Sequence, residues 1–177
     1  MTMSNGAVAK AFANGATKGA SRNMHIEGDT IYSYGPHFPI AKRITGGYVF
    51  NSDNCSSSTA GHKSAVWGYI TGSILWEVPG CDLNQAAKFY ADSAFYSARK
   101  IPKSRTYYSC YLQDLETSVN KAIEATNKLG LSIQPLYNVM ADEVMAKAMK
   151  RIKREGEVPK TLISTFGKAQ FLSQEES

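Results

Sequence analysis

The densest group of chemistry-bearing side chains lies within residues 32–63. It holds Tyr32, Tyr34, His37, Asn51, Ser56, Ser57, Ser58, Thr59, His62 and Lys63, and with them two of the chain's three histidines. Ser58 or Thr59 is a natural N-cap for a helix beginning near residue 60, and the free amides of a helix start point outward with partial positive charge. Tyr34, His37, Asn51, Ser58, Thr59, His62 and Lys63 therefore form a candidate anion site. The Gly-x4-Gly-Lys-Ser/Thr pattern of a phosphate loop is absent. A catalytic version would take His37 or His62 as base and a nearby hydroxyl as nucleophile. Asp53 is the only acid at hand to orient the base, and no residue is assigned a catalytic role. The plainer reading is an N-capped helix with a surface histidine. A metal site would need a third ligand such as His25 or Asp53 at a spacing the chain lacks, so neither metal nor cofactor is expected.

A second group is aromatic and basic. Residues 88–111 hold Arg99, Lys100, Lys103, Arg105, Tyr107 and Tyr108 along with Lys88, Phe89, Tyr90, Phe95, Tyr96 and Tyr111, and their one acid is Asp92. Single-stranded nucleic acid is held by this combination, with rings stacking on bases and cations tracking phosphates. The plainer reading places the helical rings in a core. A third group, Lys147, Lys150, Arg151, Lys153 and Arg154, puts five cations within eight residues. Such a run is either a solvated helix face or a face turned to phosphates.

The segment Tyr32-Ser33-Tyr34-Gly35-Pro36-His37-Phe38-Pro39-Ile40-Ala41 resembles the S-Y-G-x-H-F-P-hydrophobic-A pattern of an uncharacterised family of phage, prokaryotic-virus and plasmid proteins. A second block of that family, N followed by S-x-T-T-x-x-H, is similar to Asn51 followed by Ser57-Ser58-Thr59-Ala60-Gly61-His62. Here Ser58 stands where the pattern has threonine, and the loop carries extra serines and Cys55. The resemblance covers about 40 of the 177 residues. It implies a mobile-element origin and a single site made of His37, Asn51, Thr59 and His62, and it brings no activity with it.

The elements that must position these groups read as α+β. Residues 1–23 are rich in Gly, Ala, Ser and Asn, with Phe12 as the one aromatic side chain and Lys10, Lys18 and Arg22 unopposed by any acid. They are expected to form a flexible basic arm. Residues 24–52 alternate and turn as a small antiparallel meander, in which Pro36 and Pro39 force an edge strand or a late entry. A helix follows over 60–70, with Ala65, Val66, Tyr69 and Ile70 on one side. Residues 74–78 form a short strand or buried connector. Further helices are expected over 83–100 with Asp82 as N-cap, over 112–129 with Gly130 as C-cap, and over 138–154. Residues 155–177 are expected as a mostly extended tail on which Leu162, Ile163 and Phe166 dock. The whole reads as one domain over 24–154, with an arm and a tail.

Composition narrows the function classes. The chain has 177 residues, 43% hydrophobic and 11% aromatic, with a net charge of +5. That excludes wholesale disorder. No stretch has the roughly 20 apolar residues of a membrane span, and no secretory leader is evident, so a cytoplasmic setting is expected, in the host if the protein is viral, or a place in a virion. Cys55, Cys81 and Cys110 are odd in number and widely spaced, which argues against a disulfide framework and for small buried residues. Three readings follow in order. The first is a binding module contacting DNA or RNA through the tyrosine and basic segments. The second is a self-associating or virion assembly protein ordered through its arm. The third is a histidine-dependent enzyme acting on an anionic substrate.

Overall fold

A computed structural model describes residues 2–156 and 158–175. The chain forms two compact units, Met1–Leu83 and Asn84–Ser177, each with its own core. The fold class is α+β.

The first unit is built on the meander. Strands β1 (Lys18–Ala20), β2 (Met24–Glu27), β3 (Thr30–Ser33), β4 (Pro39–Ile44), β5 (Gly47–Asn51) and β6 (Ile74–Val78) form one sheet in the order β1-β2-β3-β4-β5-β6. All neighbours are antiparallel except β5 and β6, which run parallel. A parallel neighbour needs a crossover, and helix α2 (Ser57–Ile70) supplies it. Alternation sets the faces: Met24 and Ile26 of β2 and Ile31 and Ser33 of β3 are buried. Pro39 opens β4, where its missing N–H costs no ladder bond within the strand. At Gly47 an added Cβ would run into the Ser73 carbonyl and the Leu75 side chain, so β6 can approach β5 only over a glycine.

Residues expected as the flexible arm fold onto this sheet. Helix α1 (Asn5–Ala13) starts at Ser4, whose Oγ accepts the Ala7 N–H, and buries Val8, Ala9 and Phe12. Small Ala side chains let α1 lie close to its neighbours, so one phenylalanine and one valine suffice to anchor it. Burying Phe12 contributes about 1.5–3 kcal/mol. Lys10, Lys18 and Arg22 stay exposed. Val8, Phe12, Met24, Ile31, Ile40, Phe50, Val66 and Ile70 belong to one core cluster drawn from α1, the sheet and α2.

The second unit is helical: α3 (Ala86–Lys100), α4 (Tyr108–Leu129), α5 (Gln134–Ala141), α6 (Glu143–Glu155) and α7 (Lys160–Glu175). Ala87, Ala91, Ala94 and Ala98 repeat at helical spacing on the buried side of α3. Leu112, Leu115, Val119 and Ala122 do the same on α4, and Gly130 ends that helix in the left-handed region as expected. Three expectations are corrected. A short turn over Leu83–Gln85 precedes α3, so Asp82 is not its N-cap. The helix expected over 138–154 is two helices. Asp142 is extended at the break, and its Oδ1 accepts the Val144 N–H at 2.7 Å. Such a capping carboxylate stabilises the start of the following helix by about 1 kcal/mol. The tail is not extended, because Leu162, Thr165 and Ala169 form a buried stripe at helical spacing. Of the residues expected to dock, Leu162 is buried, Phe166 packs on the core and Ile163 faces outward.

Candidate functional site

Two of the motif residues meet at one end of α2, where β3 stops. Thr59, His62, Val66 and Ile70 form the buried stripe of the helix, apolar at its C-terminal end and polar at its N-terminal end. The polar end faces Ser33. Ser33 Oγ lies 2.8 Å from His62 Nδ1 and 3.4 Å from Thr59 Oγ1, and its single proton can go to only one of them. The N-cap is Ser56, not Ser58 or Thr59; its Oγ accepts the Thr59 N–H and donates to Thr59 Oγ1 at 3.2 Å. Burial lowers the His62 pKa, which holds the imidazole neutral and able to share a proton with the Ser33 hydroxyl.

Tyr34 closes over this group. Its φ is +62°, a left-handed value that a non-glycine side chain adopts at a cost of about 1–2 kcal/mol. The Gly35 N–H donates to the Ser33 carbonyl at 2.9 Å, so Tyr34 is the middle of a three-residue turn. Its ring tilts against that of His62 at 5.1 Å and remains 59% exposed.

The other motif residues go elsewhere. Asn51 is buried, with Nδ2 donating to the Pro39 carbonyl at 2.7 Å and Oδ1 accepting from the Asp53 and Gly80 amides at 2.8 and 3.0 Å. Asn51 thus spends its amide on shaping the loops after β5 and β6. Lys63 donates to the Asp53 carbonyl at 2.9 Å. His37 is exposed and, among the described residues, its side chain makes no hydrogen bond, and Ser58 is exposed beside Ser56. Among the described residues, neither His37 nor Asn51 shares a side-chain hydrogen bond with Thr59 or His62. Thr59 and His62 meet, but with Ser33, Tyr34 and Ser56. Ser33 had a legible signal, a polar residue at an inward position of an alternating strand.

In the second unit the two basic segments are joined. Arg151 Nη1 donates to the Ile101 carbonyl at 2.6 Å, and its guanidinium lies 4.8 Å from the Tyr108 ring centre. Arg151 and Tyr108, both read as nucleic-acid contacts, are thus engaged within the unit. Around this joint Arg99, Lys103, Arg105, Lys150 and Arg154 are exposed, and Lys100 sits over the Tyr96 ring at 5.2 Å. Tyr107 is 63% exposed and Tyr96 is 56% exposed. Lys147 is paired with Glu143 at 2.8 Å, a contact that lowers the Glu143 pKa, and Arg154 lies 3.2 Å from Glu155. Asn84–Ser177 carries fourteen Lys and Arg against ten Asp and Glu, so four of the five net positive charges belong to it.

All three cysteines are free. Only Cys81 is buried as expected; burial pushes its thiol up to about 12, while Cys55 and Cys110 are exposed. Among the described residues no group of three or more His, Cys, Asp or Glu is placed to hold a metal ion, and no helix is long and apolar enough to cross a membrane. No protein-family model, no curated protein and no solved structure matches the chain.

Proposed function

We propose that the protein is a small phage-type binding module that contacts nucleic acid through the Asn84–Ser177 unit. The observation that carries this reading is the Arg151–Ile101 hydrogen bond. It ties the helix carrying Lys147, Lys150 and Arg154 to the end of α3, which carries Arg99, and to the turn after it, which carries Lys103 and Arg105. Two cationic segments that are far apart in sequence thereby become one neighbourhood, with Tyr107 exposed and Tyr96 exposed beneath Lys100. Rings for bases and cations for phosphates are the two components of a single-strand surface. Replacing Arg99, Lys103 and Arg105 by alanine is the direct test. These side chains are exposed, so the fold should persist while affinity for an oligonucleotide drops. An unchanged affinity would overturn the assignment.

The enzyme reading has one observation behind it, the Ser33–His62 pair, since a hydroxyl on a neutral imidazole is how serine nucleophiles are activated. Against it, Ser33 is buried, no carboxylate among the described residues bonds His62, and His37 is not in the group. The assembly reading rested on an arm in need of an ordering partner, and α1 and β1 are ordered by their own chain.

A further inference from the structure

A cleft of about 530 Å3 lies along the flank of α2 adjacent to its buried stripe, against the loop that follows β5. It shares no residue with the Ser33–His62 group. It opens at the carboxyl end of β5, between the loop that leaves that strand and the crossover helix the loop feeds. Its size falls within the range of about 300–1,000 Å3 typical of small-molecule sites.

The lining has an aromatic wall and a cationic one. Phe50 and Trp67 pack edge to face with centroids 5.0 Å apart; Phe50 is buried, and Trp67 keeps 37% of its surface open. Lys63 is held by the Asp53 carbonyl and by the Phe50 ring, 5.4 Å away, and among the described residues it makes no ion pair. The Asp53 carboxylate accepts the Gly80 N–H at 2.9 Å. Ser52 Oγ is buried in this lining without a hydrogen-bond partner among the described residues. An orphaned buried hydroxyl of this kind calls for a missing partner.

We propose that this cleft binds a small planar molecule carrying an anionic group, a nucleoside monophosphate being the source we favour. The ring stacks on the open face of Trp67, and the anion meets the spare donors of Lys63 and the hydroxyl of Ser52. The site is separate from the surface proposed on the second unit and stands whether or not that surface binds nucleic acid.

The test follows the two tryptophan indole N–H resonances of the full chain in proton–nitrogen correlation spectra. Trp67→Phe assigns them, and the buried Trp76 serves as internal control. The probes are nucleoside monophosphates, the parent nucleosides, inorganic phosphate and 4-hydroxybenzoate. A saturable shift of the Trp67 signal is expected with a monophosphate, weakening about tenfold or more for the nucleoside, because one charge-assisted contact is lost. Lys63→Met should abolish that preference. Gly68→Leu puts a large side chain on the cleft lining at a position where a Cβ meets no atom within 4 Å, so it should block binding, with its thermal melt compared with the parent's to show that it folds. Saturation by the benzoate in preference to nucleotides keeps the ring-plus-anion class and changes its source. The proposal is overturned if no probe shifts Trp67 saturably, if Lys63→Met leaves the phosphate preference unchanged, or if Gly68→Leu binds like the parent.

Discussion

Arg43 holds Phe12 twice: Nη1 donates to its carbonyl at 2.9 Å, and the guanidinium lies 4.9 Å from its ring centre. The same side chain donates through Nη2 to the carbonyls of Ala16 and Gly28 and pairs with Asp29. A single arginine of β4 thus ties down the end of α1, the turn after it and the hairpin beside it. Arg43→Met should therefore cost about 2–3 kcal/mol, since several carbonyls lose a charged donor at once. Denaturant titration should report the loss, and hydrogen exchange should localise it to residues 5–20. Uniform protection in the variant would contradict this role.

Phe12→Ala probes the same anchor from the apolar side. Removing a fully buried ring should cost about 3–5 kcal/mol. If the helix were an arm resting loosely on the sheet, the cost would be near zero.

Two glycines give opposite expectations. Gly47→Ala places a methyl against the Ser73 carbonyl, a backbone atom, so β6 must shift. Gly68→Ala meets open space inside a helix, where alanine is favoured by about 1 kcal/mol. Thermal melts of the two variants should move in opposite directions, and a stabilised Gly47→Ala would refute the packing of β6 on β5.

His62 predicts a pH dependence of stability with a definite sign. Its folded pKa lies below the ordinary value of 6.5, so the unfolded chain takes up the proton first. Stability from this group is complete above the unfolded pKa and falls as pH drops below it. His62→Gln should flatten the slope of unfolding free energy against pH between roughly pH 7 and pH 5. A slope identical in the variant would place the titrating group elsewhere.

How much of this was legible varies by element, for physical reasons. The four meander strands, the helix of Thr59–His62 and the helix ending at Gly130 follow from alternation, helical spacing and a C-cap, all local signals. The fold of residues 5–20 does not, because its anchors are Arg43 and Tyr48, some thirty residues away, whose side chains bond the carbonyls of Phe12, Ala13 and Ala16. The parallel partnership of β6 with β5 is equally non-local. Asp142 lies inside a stretch whose spacing reads as one helix over 138–154, so its role as the cap of a second helix shows only in the fold. The histidines divided for a related reason. His62 shares the buried stripe with Val66 and Ile70, whereas His37 follows a proline in the turn before β4 and is exposed. Arg151 looked like one cation among five, and only the fold shows it bonded to Ile101.

The most direct measurement is the affinity of the full chain for a single-stranded oligonucleotide across a salt series, compared with Arg105→Ala/Lys150→Ala/Arg154→Ala. Each phosphate contact removed should lower the slope of log affinity against log salt by a little under one unit. Steep salt dependence in the parent and a slope reduced by about two to three units in the variant is the expected result. Absence of binding in low salt, or a slope the three substitutions leave unchanged, would contradict nucleic-acid contact through this surface.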